Sequence, residues 1–242
     1  MTQIELRRPR DVGALFRDAL RVYGRHAWLF IAVSAAVVVP VQLIVQGIGM
    51  EMLTSEYDGS LDIAEAVVPA VVEFLVVIPI ITAICIYALE AIARGERPRA
   101  GRVLVAGFEA FTPLFAAVLL AAIGIAVGLV ALIVPGIFLA VRWFFVPQTV
   151  VVEGARGPDA LRRSNALVTG FWWRTFGLVL LANIVVSIPG VLLLAPFAEA
   201  ADSADRAVWE LVGSMVTTAV TTPFVALFAT LLYYDLHARR GA

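Results

Sequence analysis

The chain has 242 residues, of which 61% are hydrophobic and 15% charged, with a formal net charge of −1 and a mean hydropathy of +0.93. A soluble domain is nearer half apolar, so this composition excludes a soluble catalytic domain, and no polar interval is long enough to bury a second core. Cys85 is the only cysteine, which excludes an internal disulfide and a cysteine metal site.

Six apolar runs follow in chain order, at about 27–48, 67–93, 108–134, 135–152, 175–198 and 208–235. All but the slightly short fourth reach the ~20 residues that cross the hydrocarbon of a bilayer. The first lies behind a polar lead of 26 residues and exceeds a signal-peptide core, so it reads as a retained span. There is no lysine. Sixteen of the 18 basic residues, all arginine, flank the spans on one side, from Arg7 to Arg25, Arg94 to Arg102, Arg156 to Arg174, and at Arg239 and Arg240. Arg206 falls in a loop on the other side and Arg142 inside the fourth span. The positive-inside rule then predicts a multi-pass cell-membrane protein with both termini in the cytoplasm. The outer loops are acidic, with Glu51, Glu56, Asp58, Asp62 and Glu65 in the first and Glu199, Asp202, Asp205 and Glu210 in the third. A basic inner face suits anionic phospholipid headgroups. Spread over four segments, it does not suit nucleic acid.

The expected fold is an all-α integral membrane protein, with six transmembrane helices arranged as three helical-hairpin repeats. The whole of 1–242 forms one membrane domain, with hairpins at approximately 10–95, 96–157 and 158–242. Each hairpin has the same kind of preface, an amphipathic interfacial helix leading to a glycine and then aromatics. The copies are DVGALFRDALRVYGRHAWLF, RAGRVLVAGFEAFTPLF and GPDALRRSNALVTGFWWRTF, with Gly24, Gly107 and Gly170 in equivalent places. In the first, Val12, Leu15, Phe16, Ala19, Val22 and Tyr23 share one helical face. Asp11, Asp18, Arg21 and Arg25 fall opposite, and Asp11 is placed to cap the helix. Such helices are expected to lie apolar side down in the interface, with their glycines at the bends into the spans. The even spans end alike, at Glu90, Glu153 and Asp235, each followed within four residues by an arginine and then closed by a glycine. The plain reading of each acid is a helix-end ion pair worth ~0.2–0.5 kcal/mol.

The stretch PGIFLAVRWFFVPQTVVVEGARGPDALRRSNALVTGFWWRTFGLVLL, Pro135 to Leu181, resembles the central signature of the glycerophosphoryl diester phosphodiesterase membrane-domain family. Pro135, Gly136, Arg142, Pro147, Glu153, Gly154, the run from Ala160 to Ser164, Gly170 and Trp172 hold the places of that pattern. The ending LLYYDLHARRG is similar to the family's Tyr-Tyr-Asp-Leu ending, with His237 where a basic residue is usual. The resemblance implies the membrane part only, since the soluble phosphodiesterase barrel of the family's name has no counterpart in this chain.

Arg142 stands about seven residues into the fourth span, ~10 Å along a helix. An arginine there costs ~2.5–3.5 kcal/mol on insertion scales, so it is expected to face protein or water. Glu73 has a similar estimated depth in the second span, which makes Glu73 and Arg142 a candidate intramembrane pair. Arg162, Arg163 and Ser164 are candidate headgroup contacts, because guanidinium forks bind phosphate bidentately; a solvated basic helix face is the plainer reading. Ser214, Thr217, Thr218, Thr221 and Thr222 form a polar stripe before Pro223 in the sixth span, suited to helix packing or to a polar path. Ala121, Gly124 and Gly128 give the third span a small-residue stripe for an internal or a dimer contact. His26 and His237, the only histidines, flank spans, which disfavours a histidine metal cluster or a Ser-His-Asp triad. No Walker loop is present.

These features read as a non-enzymatic membrane protein, without cofactor, that binds lipid or a protein partner at the cytoplasmic leaflet, alone or as a homo-oligomer. The alternative is a small transporter or flippase subunit with a polar path near Arg142. A weaker alternative is a lipid-modifying enzyme using Glu153 or Asp235.

Overall fold

The computed structural model of the chain describes residues 5–48, 61–203 and 206–241. All regular secondary structure among them is helical, and six helices are long and apolar enough to cross a membrane: Ala27–Val45, Val67–Ala93, Phe111–Ala131, Ile133–Glu153, Trp172–Ala200 and Val208–Arg240. The segment carrying Glu51, Glu56 and Asp58 lies outside the described residues, as does Asp205.

Helix α1 (Val12–Arg25) precedes α2 (Ala27–Gln42), which continues as a π-helix over Leu43–Ile48. The second span runs from α3 (Leu61–Val72) through π-helical Glu73–Val77 into α4 (Ile78–Ala93). Next come α5 (Ala100–Glu109), α6 (Phe111–Ala131), α7 (Ile133–Arg142), α8 (Val146–Glu153), α9 (Pro158–Val168), α10 (Trp172–Ser203) and α11 (Arg206–Arg240). The core gathers around α11, whose apolar stretch is 61% buried against 17% for the neighbouring fifth span. Phe30 and Val37 from α2, Ile81, Ile84 and Leu89 from α4, and Phe228 and Leu232 from α11 make its centre. Outside it, Val130 and Val134 at the hairpin tip are 89% and 77% exposed, surface that suits hydrocarbon rather than water.

Asp11 caps α1 as its sequence suggests, its carboxylate accepting the Ala14 N–H at 2.6 Å. The buried face includes the anticipated Leu15, Ala19 and Val22. Its partner is the last helix: Phe16 lies 4.6 Å from the Phe228 ring, and the Tyr23 hydroxyl donates to the Val220 carbonyl at 2.8 Å. Asp18 departs from the polar face assigned to it and is buried, because Arg8 and Arg10 fold back to neutralise it.

The three preface glycines are not equivalent. Gly170 has φ of +87° and forms the turn between α9 and α10, a conformation costly for any residue with a Cβ. Gly107 lies inside α5 against Ile84, and Gly24 inside α1 against open space. The bends into the first and third spans fall instead at His26 and Ala110, which lie between consecutive helices.

The fourth span is broken at residues 143–145. The Ser164 hydroxyl, reaching in from α9, donates to the Arg142 carbonyl at 2.8 Å and accepts the Phe145 N–H at 3.1 Å. It thereby satisfies both sides of the break, where an orphaned buried group would cost ~1–3 kcal/mol. The small-residue stripe of α6 is used within this hairpin. A Cβ on Gly124 would lie 2.4 Å from Trp143, and one on Gly128 3.1 Å from the Gly136 Cα.

Candidate functional site

Three consecutive residues of α11 collect polar groups from the rest of the chain at one end of the bundle. Tyr233 donates its hydroxyl to Glu153 in a short hydrogen bond, and Tyr234 donates to Glu90 at 2.9 Å. Helical spacing sends neighbouring side chains in different directions, so two adjacent tyrosines reach two different spans. Glu153 also meets Arg163 at 3.0 Å and His237 at 3.4 Å.

Asp235, fully buried, is the third member. One oxygen accepts the Arg10 backbone N–H at 2.6 Å; Arg174 and Arg239 approach at 3.0 Å each. The Arg10 carbonyl accepts from Arg174 at 2.8 Å and from Arg239 at 2.7 Å. The Arg10 side chain, only 2% exposed, turns the other way, to Asp18 at 3.0 Å and to the carbonyls of Leu6 and Glu5. Residues 5–10, α1, α10 and α11 are therefore joined through one buried ionic network. Burial pushes the Asp18 carboxyl up, but hydrogen bonds from Arg8 and Arg10 outweigh it and hold the group below the usual carboxylate value. A depressed carboxylate contributes stability above its unfolded pKa and loses that contribution as pH falls through the lowered one.

Beside this network lies a cavity of about 680 Å³, within the ordinary size of a ligand site. Arg8, Arg21, Arg25, His26 and Arg97 line it with Glu5, Asp18 and Glu96, while Val22, Leu29 and Ile92 give it an apolar wall. Its arginines differ in their engagement. Arg8 and Arg21 pair with Asp18 at 2.8 and 3.4 Å, and Glu96 is taken by Arg94 at 3.0 Å. Arg25 and Arg97, both exposed, have no carboxylate partner among the described residues. Burial and the neighbouring Arg25 charge both hold the His26 imidazole below its ordinary value.

The sequence candidates distribute unevenly over this geometry. Glu90, Glu153 and Asp235 come together at one end of the bundle through the two tyrosines. The local pairs form at Glu90 with Arg94, 3.9 Å, and at Asp235 with Arg239, 3.0 Å; Glu153 instead takes Arg163 from α9. Arg162 is exposed and 3.8 Å from Asp159, Arg163 bridges Asp159 and Glu153, and Ser164 is fully buried in the helix break rather than turned to a headgroup. Glu73 and Arg142 are not brought together. The Arg142 guanidinium lies 4.3 Å from the Phe138 ring centre, a cation–π contact at the end of α7. Glu73 lines a small cavity with Gln42. In the threonine stripe, Thr217 and Thr221 turn their methyls to Gly190 of α10, at 3.7 and 3.8 Å from where its Cβ would be, which is helix packing. The cavity arginines carried no local signal beyond their charge, because the walls come from segments about 70 residues apart. Among the described residues no cluster of three histidine, cysteine or acidic side chains could hold a metal ion.

No curated protein and no solved structure matches the chain. The model of one protein family, the domain of unknown function DUF7847, matches residues 60–236, well over half of the sequence, and the chain belongs to that family.

Proposed function

We propose that this protein is a non-catalytic membrane protein that holds an anionic phospholipid headgroup in the arginine-lined cavity at its basic face. The observation that carries the reading is the pair Arg25 and Arg97, both without carboxylate partners among the described residues, in a cavity that also has an apolar wall of Val22, Leu29 and Ile92. Guanidinium forks suit phosphate oxygens, and the wall suits the first carbons of the acyl chains. In this reading the basic face is cytoplasmic, the three hairpins are repeats, and α1, α5 and α9 are their interfacial prefaces. The likeness of Pro135 to Leu181 to the phosphodiesterase membrane-domain signature belongs to the same proposal and concerns the membrane part alone.

Native mass spectrometry of protein released from phosphatidylglycerol–phosphatidylcholine bilayers should retain phosphatidylglycerol. The Arg25→Gln/Arg97→Gln variant should retain about tenfold less, equivalent to ~1.4 kcal/mol. Equal retention by both proteins removes the site. An anion seated against Arg25 also offsets the repulsion on His26. The His26 pKa, read by NMR, should therefore rise in phosphatidylglycerol and stay low in phosphatidylcholine.

Orientation has its own test. Ser55→Cys and Ser203→Cys should each react with an impermeant maleimide in intact cells. Reaction only after permeabilisation inverts the topology.

A further inference from the structure

A second polar site lies inside the membrane-spanning part, away from the arginine cavity. Gln42 closes the α-helical part of the first span, and a π-helix begins at Leu43; Glu73 opens the π-helix of the second. π-Turns are uncommon and concentrate where a helix accommodates a ligand or a special side chain. Gln42, 8% exposed, and Glu73 line the same cavity of about 20 Å³. That volume suits one water molecule, which needs ~10–15 Å³. The Gln42 carbonyl oxygen is also held by the Ser214 hydroxyl at 3.1 Å, so the sixth span fixes the amide that shares this cavity with Glu73. The Glu73 carboxyl itself has no hydrogen bond or ion pair among the described residues.

A carboxyl in a span without a cationic partner must carry a proton or hold a cation, since an isolated charge in hydrocarbon is costly. The rest of the cavity lining offers no charge: Val41 and Val45 from the first span, Pro69, Val72 and Val77 from the second. The third span, which also packs on this π-segment, carries no titratable residue. On Glu73's own helix the neighbouring titratable residues are Glu65 before it and Cys85 after it. With one carboxyl and one amide, the lining side chains alone supply fewer oxygens than the six that a hard cation takes.

We propose that Glu73 is a proton-binding site within the membrane, joined to Gln42 through a single water. The two π-segments give spans one and two a place to bend as the proton is gained or lost. Such a site is the minimal element of a proton-coupled movement, a function that lipid binding at the far end does not require.

The test is carbodiimide labelling of wild-type protein in liposomes, read by peptide mass spectrometry. Dicyclohexylcarbodiimide reacts with protonated carboxyls in apolar surroundings. Glu73 should be labelled, the labelling should fall about tenfold per pH unit above its midpoint, and replacing choline by sodium should not change it. Failure to label at any pH, labelling independent of pH, or protection by sodium would each overturn the proposal, the last by showing a cation in the proton's place. Gln42→Leu should move the labelling midpoint while Glu73 stays reactive. An unmoved midpoint removes the water bridge. Because the decisive measurement uses the unaltered protein, misfolding of a variant does not obscure it.

Discussion

Asp235→Ala should lower the unfolding free energy by about 3 kcal/mol, the largest loss expected from a single side chain in this protein. The carboxylate is fully buried and neutralises Arg174 and Arg239 while accepting the Arg10 N–H. Its removal leaves two guanidiniums and a buried donor facing one another. Breaking a buried pair in this way costs ~3–5 kcal/mol. The lower end applies, since Arg174 and Arg239 are 25% and 30% exposed and water can reach them. Arg239→Gln should cost well under half as much, because its departure leaves Asp235 with Arg174 and the Arg10 N–H. Thermal unfolding in detergent reads the difference; similar losses for the two variants would show that the network is not centred on Asp235.

Gly136→Ala should be nearly as damaging for a different reason. A Cβ there would sit 2.4 Å from the Leu129 side chain and 2.7 Å from the Leu129 backbone nitrogen. A side chain can rotate away, whereas the backbone of α6 can yield only if the third and fourth spans separate. Overpacking of this kind costs ~1–3 kcal/mol. Gly24→Ala supplies the comparison: it adds the same methyl where nothing lies within 4 Å, and a helix-interior alanine should gain ~0.5–1 kcal/mol. Equal melting temperatures for the two variants would mean that the hairpin is looser than its geometry.

Much of the architecture was legible because it rests on local quantities. Apolar run length sets the spans, and the Asp11 cap and the first turns of α1 follow from spacing within a few residues. The misplaced features depend on contacts between distant segments. Asp18 has helical spacing that points it outward, and Arg8 and Arg10 returning over α1 make its burial tolerable. Trp143-Phe144-Phe145 is as apolar as its surroundings, so nothing in the run announces a break that Ser164, some twenty residues on, makes affordable. The glycine stripe of α6 fits an internal or an external helix equally well; Trp143 and Gly136 decide the matter. Glu90, Glu153 and Asp235 looked like three separate helix ends. Their association depends on Tyr233 and Tyr234, whose hydroxyls carry no periodic signal. The same holds for the candidate site, whose cavity is walled by residues 5–29 on one side and by the end of α4 and the residues after it on the other.

The position of Tyr233, Tyr234 and Asp235 in the final helix has a consequence for how the protein is made. A ribosome delivers Arg10, Glu90, Glu153 and Arg174 to the membrane before any of their α11 partners exists. Arg10 already has Asp18, Glu90 has Arg94 and Glu153 has Arg163, so it is Arg174 that waits for Asp235, while the spans already inserted lack their central helix. Assembly of the core and closure of the ionic network therefore coincide with one late event, the docking of α11. A quality-control protease that samples the nascent bundle would meet an open groove and an Arg174 without its carboxylate until then, and a filled groove with Arg174 held by Asp235 afterwards.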